Sequence, residues 1–409
     1  MTRRRDIISQ RARDLPPSPI RRFFDLVESM PDAISLSVGE PDFITPWHVR
    51  EAAIYSLERG HTHYTPNRGT RELRVEIARY LQRRFGLGYD PDTEILVTLG
   101  VSEGLDLACR ALLDPGDAVV FAEPCYVAYG PCVSLAGARP VGIATTIEQG
   151  FKVTPAQTRE AALRQAQDRP CDAKEGRPER RRGAAREAKA LLLGYPSNPT
   201  GVALDAAEMA ALAQVVRELG LVVIADELYA ELRYDGEPVS FAAAPGMRER
   251  TVVLSGFSKA FAMTGWRVGY ACGPAEMIDA MTRIHAYTAL CAAVTSQHGA
   301  AEALRRAERE VAEMRQEYNR RRRVVMSRLG KMGLPCFEPQ GAFYAFPSIA
   351  PTGMTAQEFA ERLLVEQKVA VVPGDAFGEC GAGHIRMCYA TSMALLEEAL
   401  ERMARFVSS

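Results

Sequence analysis

The stretch LVVIADELYAEL, residues 221–232, places an apolar run directly before two acidic residues. An apolar run this short is typical of a strand that is buried on both faces of a sheet. Helix-length segments separate most of the similar runs, so most of the strands are expected to pair in parallel. The other runs, each bounded by turn residues, occupy residues 95–99, 118–122, 190–193, 252–255 and 268–271. The chain is therefore predicted to have an α/β fold, with helices on both faces of a mostly parallel sheet.

The carboxyl-terminal part of the chain follows a different pattern. Residues 295–329 predict one long amphipathic helix that ends at Gly330. After it come a β-rich stretch at 334–349, a helix near 355–367, a strand near 369–372 and a helix from about Ala394. This order predicts a smaller α+β domain. We expect an N-terminal arm that includes part of the small domain, then the large domain, then the small domain, at residues 1–46, 47–292 and 293–409.

Residues 163–187 interrupt the large domain with Arg, Glu, Gln and Ala and almost no large apolar side chain. Such a composition is typical of a solvated or disordered segment, so we expect an inserted, flexible loop. A surface loop without a function is the simpler interpretation. The arginine run at 180–182 could instead bind an acidic partner, although no other feature supports that alternative.

Composition argues against several kinds of partner. The 409 residues carry a net charge of −1, which argues against a nucleic acid or an anionic membrane as the partner. The nine cysteines form no C-x-x-C pair and are expected to be free thiols. Neither an apolar stretch of about 18 residues nor a secretory signal pattern is found, so we expect a cytoplasmic protein.

A lysine suited to covalent chemistry lies in SGFSKAFAMTGWRVGY, residues 255–270. Lys259 follows an apolar run, and a partly desolvated amine at the end of a strand loses its proton readily. Ser255 and Ser258 offer hydroxyls, and Arg267 offers a fork-shaped cation, for an anion such as a phosphate. These residues alone leave open the alternative of an ordinary surface lysine.

Asp226 follows the apolar run 221–225, and ligands of open α/β sheets bind beyond the carboxyl ends of the strands. A buried carboxylate there requires a cation, and a protonated pyridine nitrogen is one that suits it. Tyr229 is expected on the same helical face, with its phenol available to a ring oxygen. The alternative for Asp226 is a helix N-cap.

Two further strand ends carry weaker signals. YPSNPTG, residues 195–201, places Asn198 before a proline, which keeps Asn198 out of the helical region. LGVSEGLDLA, residues 99–108, is a strand-to-helix junction at which the N–H groups of Val101 and Ser102 are available to a phosphate. Each motif alone is also compatible with an ordinary turn.

Six segments in a fixed order resemble one known family. They are SLSVGEPDF (35–43), HYTPNRGT (63–70), YPSNPTG, DELY, SGFSKAFAMTGWRVGY and HIRMCYATS (384–392). Together they span nearly the whole chain, and they resemble fold type I, class I/II aminotransferases that depend on pyridoxal phosphate, in the branch of bacterial aspartate and aromatic aminotransferases. The resemblance implies a large domain built on a mostly parallel, seven-stranded sheet and a smaller α+β domain.

The resemblance also implies roles around the cofactor ring. Lys259 would form the Schiff base and move a proton between the substrate Cα and the cofactor. Asp226 would pair with the pyridinium, Tyr229 and Asn198 would bind the ring oxygen, and Tyr126 would stack on the ring.

The resemblance also implies residues that bind the cofactor phosphate and the substrate. Ser102, the backbone of Val101, Ser255 or Ser258, and Arg267 would hold the phosphate, and Tyr64 would reach the phosphate of the partner subunit in a homodimer with shared active sites. Arg386 would bind the substrate α-carboxylate, helped by Asn198 and the Gly39 backbone, although an arginine alone could equally form a surface salt bridge. Arg283 is a candidate for a distal carboxylate.

One departure concerns Gly256, where many relatives have a serine, so Ser255 is a candidate to supply the phosphate hydroxyl.

The reaction that the resemblance implies moves an amino group between an L-amino acid and a 2-oxo acid by a ping-pong mechanism. One pair is expected to be 2-oxoglutarate and glutamate, with aspartate, aromatic or alanine-like donors. The alternatives are a C–S β-lyase or a related reaction on the same fold, and a regulatory module, for which no DNA-binding segment is expected.

Overall fold

Twelve strands lie within residues 7–15, 30, 32–164 and 188–408, the part of the chain that the computed structural model describes. Most are short, and the longest lie in the first two thirds of the chain. In chain order they are β1 Ile34–Ser35, β2 Ile95–Thr98, β3 Ala118–Glu123, β4 Arg139–Ala144, β5 Ala190–Gly194, β6 Val222–Asp226, β7 Thr251–Gly256, β8 Gly269–Cys272, β9 Tyr344–Ala345, β10 Val369–Ala370, β11 Val372–Pro373 and β12 Ile385–Cys388.

The same residues contain twelve α-helices, several of which follow directly from a strand of the large sheet. In chain order they are α1 Gln10–Asp14, α2 Trp47–Glu58, α3 Arg71–Phe85, α4 Val101–Leu112, α5 Tyr129–Leu135, α6 Pro155–Arg164, α7 Ala206–Glu218, α8 Ala275–Thr288, α9 Val294–Arg306, α10 Glu308–Lys331, α11 Ala356–Gln367 and α12 Met393–Ser408. None of these helices is both long and apolar enough to cross a membrane.

Seven strands form the largest sheet, in the order β2-β8-β7-β6-β5-β3-β4. The five neighbours from β7 to β4 pair in parallel, whereas β8 is antiparallel to both β2 and β7. The predicted α/β class with a mostly parallel, seven-stranded sheet is therefore confirmed. The register places Asp226, the last residue of β6, between Gly194 of β5 and Leu254 of β7.

Helices cover both faces of this sheet, because successive side chains along a strand point to opposite faces. On β5, Leu191 packs into the cluster that contains Leu212 of α7, and Leu192 packs into the cluster that contains Leu105 of α4. Both leucines of β5 are almost fully buried. This two-sided burial explains why the predicted strands are apolar at nearly every position.

Strand β4 was not among the predicted strands. Within the part of the chain that the structure describes, it pairs only with β3, at the edge of the sheet, and most of its side chains are exposed or half-buried. Pro140 and Gly142 interrupt its apolar pattern, and an edge strand tolerates both residues.

The prediction of a single helix over 295–329 is wrong, because α9 and α10 are separate helices that meet at Ala307. The Ala307 backbone leaves the helical region, with φ −91° and ψ 16°. Its side chain is fully buried in the core. Because the junction of the two helices contains neither glycine nor proline, its sequence does not indicate a break.

The carboxyl-terminal part forms two small sheets. The strand predicted at 369–372 is divided at Val371: β10 pairs with β1, and β11 joins β12 and β9. The stretch predicted as β-rich contains one strand of two residues, β9. The division into domains at residues 47 and 293 stays a prediction.

The expected loop at 163–187 begins inside a helix, because Leu163 and Arg164 form the end of α6. The rest of it, residues 165–187, lies outside the described residues.

Candidate active site

A cavity of about 800 Å³ lies where β5, β6 and β7 end and α4 begins. Eleven of the fourteen candidate site residues line it: Gly39, Val101, Ser102, Tyr126, Asn198, Asp226, Tyr229, Ser258, Lys259, Arg267 and Arg386. They come from segments far apart in the chain, and the carboxyl ends of parallel strands bring them together.

Lys259 lies just beyond the end of β7, with its side chain half-buried in the cavity wall. Its Nζ donates to the Gly39 carbonyl oxygen at 2.6 Å and lies 5.9 Å from the centre of the Phe343 ring. Burial lowers the pKa of Lys259 to about 8, and the positive charges of Arg386 and Arg267 act in the same direction. A lysine with this pKa supplies a neutral, nucleophilic amine at mildly basic pH.

Asp226 has no salt-bridge partner among the described residues. Its Oδ2 accepts from the Tyr129 hydroxyl at 2.9 Å, and its Oδ1 accepts from the Leu228 N–H at 3.2 Å. Burial raises the pKa of Asp226 to about 6, even though the hydrogen bond from Tyr129 favours the carboxylate. A cation bound in the cavity would stabilise this carboxylate, and a protonated pyridine nitrogen is such a cation.

Tyr129 was not among the predicted site residues. It lies at the start of α5, three residues after the predicted Tyr126, and the two rings pack edge to face with their centres 5.7 Å apart. A Cβ at residue 194 would collide with the Tyr129 hydroxyl, so Gly194 of β5 leaves the space that the phenol needs to reach Asp226. The expected helical face after Asp226 is absent, because residues 227–229 form a turn before a short 3₁₀ segment.

The start of α4 and Arg267 form the end of the cavity suited to an anion. Gly100, which precedes α4, has φ 78°, and a Cβ on it would lie 2.7 Å from an Arg267 nitrogen. The Arg267 guanidinium donates to the carbonyl oxygens of Thr264 and Leu99, at 3.0 and 3.4 Å, and it pairs with no carboxylate among the described residues. Free helix N–H groups beside an uncompensated guanidinium suit a phosphate.

Ser255 lies outside this cavity, which corrects the suggestion that it replaces a serine at position 256. Its hydroxyl is directed to the Glu227 carbonyl oxygen at 3.4 Å. A side chain at Gly256 would meet the Gly269 backbone at 2.9 Å, so no hydroxyl fits there either. Ser258 is buried and lines the cavity, so its hydroxyl, unlike that of Ser255, belongs to the cavity wall.

Arg386 of β12 is 3% exposed and lies between two aromatic rings, 4.7 Å from the centre of Tyr344 and 4.8 Å from that of Phe377. It donates to Asn198 Oδ1 at 2.9 Å and to the Ser37 carbonyl oxygen. Its Nε is buried without a hydrogen-bond partner among the described residues. A buried guanidinium without a carboxylate partner suits a bidentate ligand carboxylate.

Besides Ser255, two further expected residues do not reach this cavity within the chain. Tyr64 is 84% exposed and does not line it. Arg283, the candidate for a distal carboxylate, is exposed on α8 and pairs with Asp279 at 2.6 Å. Tyr344 does line the cavity, although its sequence context did not indicate it.

The chain is similar to known aminotransferases over nearly its whole length. The model of the family "Aminotransferase class I and II" matches residues 31–403. YugH of Bacillus subtilis strain 168 is 49% identical over 400 residues, 98% of each chain. An aspartate aminotransferase of Pyrococcus abyssi is 42% identical over 392 residues, 95% of each chain. The crystal structure of an aromatic aminotransferase from Pyrococcus horikoshii is 41% identical, covers 94% of this chain and 98% of its own, and superposes with a TM-score of 0.84.

The match extends over both the large sheet and the carboxyl-terminal part, and the cavity presents groups suited to a pyridine ring, a phosphate and a carboxylate. The chain therefore belongs to the class I and II aminotransferases, enzymes that depend on pyridoxal phosphate.

Proposed function

We propose that this aminotransferase moves the amino group of an L-amino acid to a 2-oxo acid, with 2-oxoglutarate and glutamate as one pair. One observation carries the proposal: Lys259, Asp226 and Arg386 line the same cavity, and among the described residues neither Asp226 nor Arg386 forms a salt bridge, although the Lys259 charge favours the Asp226 carboxylate. Charged groups in a cavity without a salt-bridge partner are costly, so a ligand that supplies their partners is expected.

The residues around the cavity hold the cofactor in our proposal. Pyridoxal phosphate, when bound, supplies an electron-accepting ring that delocalises the charge left by loss of the α-proton. Asp226 pairs with the ring nitrogen, and Tyr229 and Asn198 donate to the ring oxygen. Tyr126 stacks on the ring.

The phosphate binds in the same cavity, at the start of α4. Ser102, Ser258, Arg267 and the Val101 backbone hold it, and all four residues line the cavity. Ser255 has no place in this set, because its hydroxyl is directed to a backbone carbonyl oxygen.

Arg386 and Lys259 act on the substrate. The Arg386 fork binds the α-carboxylate, with Asn198 and the Gly39 backbone beside it, and this fixes the Cα hydrogen relative to the Lys259 amine. Burial lowers the pKa of Lys259 to about 8, so Nζ is able to take the α-proton and return it at mildly basic pH.

The ping-pong order follows from the use of one carboxylate site. The amino acid and the 2-oxo acid both carry an α-carboxylate, and Arg386 is the buried arginine that lines the cavity in the described part of the chain. The first product must therefore leave before the second substrate binds. Aspartate, aromatic or alanine-like donors are supported by the relatives, which include an aspartate and an aromatic aminotransferase.

A homodimer with shared active sites is part of the proposal. Tyr64 is exposed and does not line the cavity of its own subunit, so in the proposal it binds the cofactor phosphate in the active site of the partner subunit. Trp47, Tyr55 and Tyr287 are also large exposed apolar side chains. We further propose a cytoplasmic location. The eight cysteines of the described residues are free thiols, which are typical of proteins in a reducing compartment.

The test is a panel of L-amino acids incubated with 2-oxoglutarate. Formation of glutamate and the matching 2-oxo acid from aspartate, an aromatic amino acid or alanine supports the proposal. Release of pyruvate and ammonia from a sulfur-containing amino acid, without formation of glutamate, would instead assign the C–S β-lyase alternative.

A further inference from the structure

Tyr344 contacts three of the groups that the proposed reaction uses. Its hydroxyl lies 2.8 Å from the Tyr229 hydroxyl, and its ring lies 4.7 Å from the Arg386 guanidinium carbon. A Cβ at residue 39 would collide with the Tyr344 hydroxyl, so that hydroxyl lies directly against Gly39. Tyr344 belongs to β9, which pairs with β12, the strand of Arg386.

The position of this phenol is tightly constrained. Tyr344 is 1% exposed, and its ring packs edge-on against Tyr229, with the ring centres 5.8 Å apart. Phe343 packs against both rings, at 5.5 Å from Tyr229 and 5.0 Å from Tyr344. The packing therefore leaves the Tyr344 hydroxyl little room to move to another hydrogen-bond partner.

The direction of the hydrogen bond follows from the role proposed for Tyr229. Two hydroxyls share one hydrogen bond, so one proton lies between the oxygens and the other is free, and the 2.8 Å contact allows either hydroxyl to donate. A phenol has one proton, so if Tyr229 donates to the cofactor ring oxygen, Tyr344 must donate to Tyr229.

We propose that Tyr344 is a positioning residue with two separable effects. Its hydroxyl donates to Tyr229, so that the Tyr229 proton is directed at the cofactor ring oxygen. Its ring supports the Arg386 guanidinium where the substrate carboxylate binds. The inference rests on the proposed roles of Tyr229 and Arg386.

Tyr344→Phe tests the hydroxyl, because it keeps the ring beside Arg386. A weaker donor at the ring oxygen raises the pKa of the nitrogen that links Lys259 to the cofactor. We expect the absorbance of the bound cofactor to titrate with a midpoint higher by roughly half a pH unit or more, and kcat to fall. KM should stay within about twofold of the wild-type value, because the Arg386 site is unchanged.

Tyr344→Leu removes the ring as well. It should show the same spectral shift and, in addition, a KM for the amino donor about tenfold higher, because Arg386 loses an aromatic neighbour. Thermal unfolding and size-exclusion chromatography establish that each variant is folded.

Tyr389→Phe is the matched control. The Tyr389 hydroxyl donates to another buried tyrosine, Tyr234, at 3.3 Å, and neither residue lines the cavity. This variant loses an equivalent bond and should leave both the midpoint and KM unchanged.

Tyr229→Phe distinguishes failure of the inference from failure of the proposed function. An unshifted midpoint in Tyr344→Phe, together with a raised midpoint in Tyr229→Phe, would overturn the inference and leave the proposed function intact. If neither variant shifts the midpoint, the proposed role of Tyr229 is wrong and the role of Tyr344 falls with it. A midpoint that Tyr389→Phe shifts equally would also overturn the inference, because it would reveal a general effect of buried tyrosines.

Discussion

The Tyr129 hydroxyl donates to Asp226 Oδ2 at 2.9 Å, and Tyr129 is 5% exposed. Tyr129 thereby supports the charged form of an aspartate whose pKa is raised to about 6 by burial. A carboxylate that must remain ionised beside a ring nitrogen depends on such a donor.

Tyr129→Phe should therefore lower kcat by about tenfold, roughly the value of one hydrogen bond to a charged group. The physical reason is that the pKa of Asp226 rises further and its pairing with the pyridinium weakens. Steady-state kinetics at saturating pyridoxal phosphate provide the measurement. Tyr270→Phe, which alters a buried tyrosine outside the cavity, is the control and should keep full activity. Equal kcat values for the two variants would contradict the role of Tyr129.

The pH dependence of Lys259 supplies a second prediction. In the cofactor-free protein, reaction of Lys259 with an amine-directed reagent should follow a titration centred near pH 8, because burial lowers the pKa of Lys259 to about that value. The Arg386 charge acts in the same direction, so Arg386→Leu should move the midpoint upward. Peptide mass spectrometry at a series of pH values measures the labelling.

Arg283→Ala is the control for that titration. Arg283 is exposed, pairs with Asp279 and does not line the cavity, so its removal should leave the midpoint in place. A midpoint near that of an ordinary lysine in the wild-type protein would show that the amine is not desolvated.

The sequence alone identifies some residues of the site and misses others. The apolar runs that end in Asp226 and precede Lys259 identify both residues, because a doubly covered sheet requires apolar strands and places its ligands at their ends. Tyr344 could not be identified in the same way, because its partner Tyr229 lies 115 residues away and only the tertiary fold joins them. The prediction for Ser255 failed for a local reason, since its hydroxyl is directed to a backbone carbonyl oxygen rather than into the cavity.

Sharing of active sites across a dimer supplies the third prediction. Lys259→Ala and Tyr64→Phe should each lose activity as pure proteins. After subunits are exchanged in an equal mixture, half of the dimers are mixed, and one site in each has both residues intact. Recovered activity should approach about a quarter of the wild-type value.

Mixing wild-type protein with the double variant Lys259→Ala/Tyr64→Phe is the matched control, because its mixed dimers contain no intact site. The activity of that mixture should fall from about half to about a quarter of the wild-type value when subunits exchange. If exchange occurs and the mixture of the two variants regains no activity, Tyr64 acts within its own subunit or has no role. A fully active monomer in light scattering would contradict the shared site directly.

A single carboxylate site makes the last prediction. Arg386→Lys keeps the positive charge but loses the fork that binds a carboxylate at two points. The KM values of the amino donor and of 2-oxoglutarate should therefore rise by similar factors, on the order of 10- to 100-fold, because both substrates bind the same guanidinium. Initial rates over a grid of both concentrations measure the two constants and show the parallel double-reciprocal lines of a ping-pong reaction. Arg402→Lys, which alters an arginine paired with Glu398 on α12, should change neither KM. A rise in only one KM would mean that donor and acceptor use different carboxylate sites, and one shared guanidinium would then no longer explain the ping-pong order.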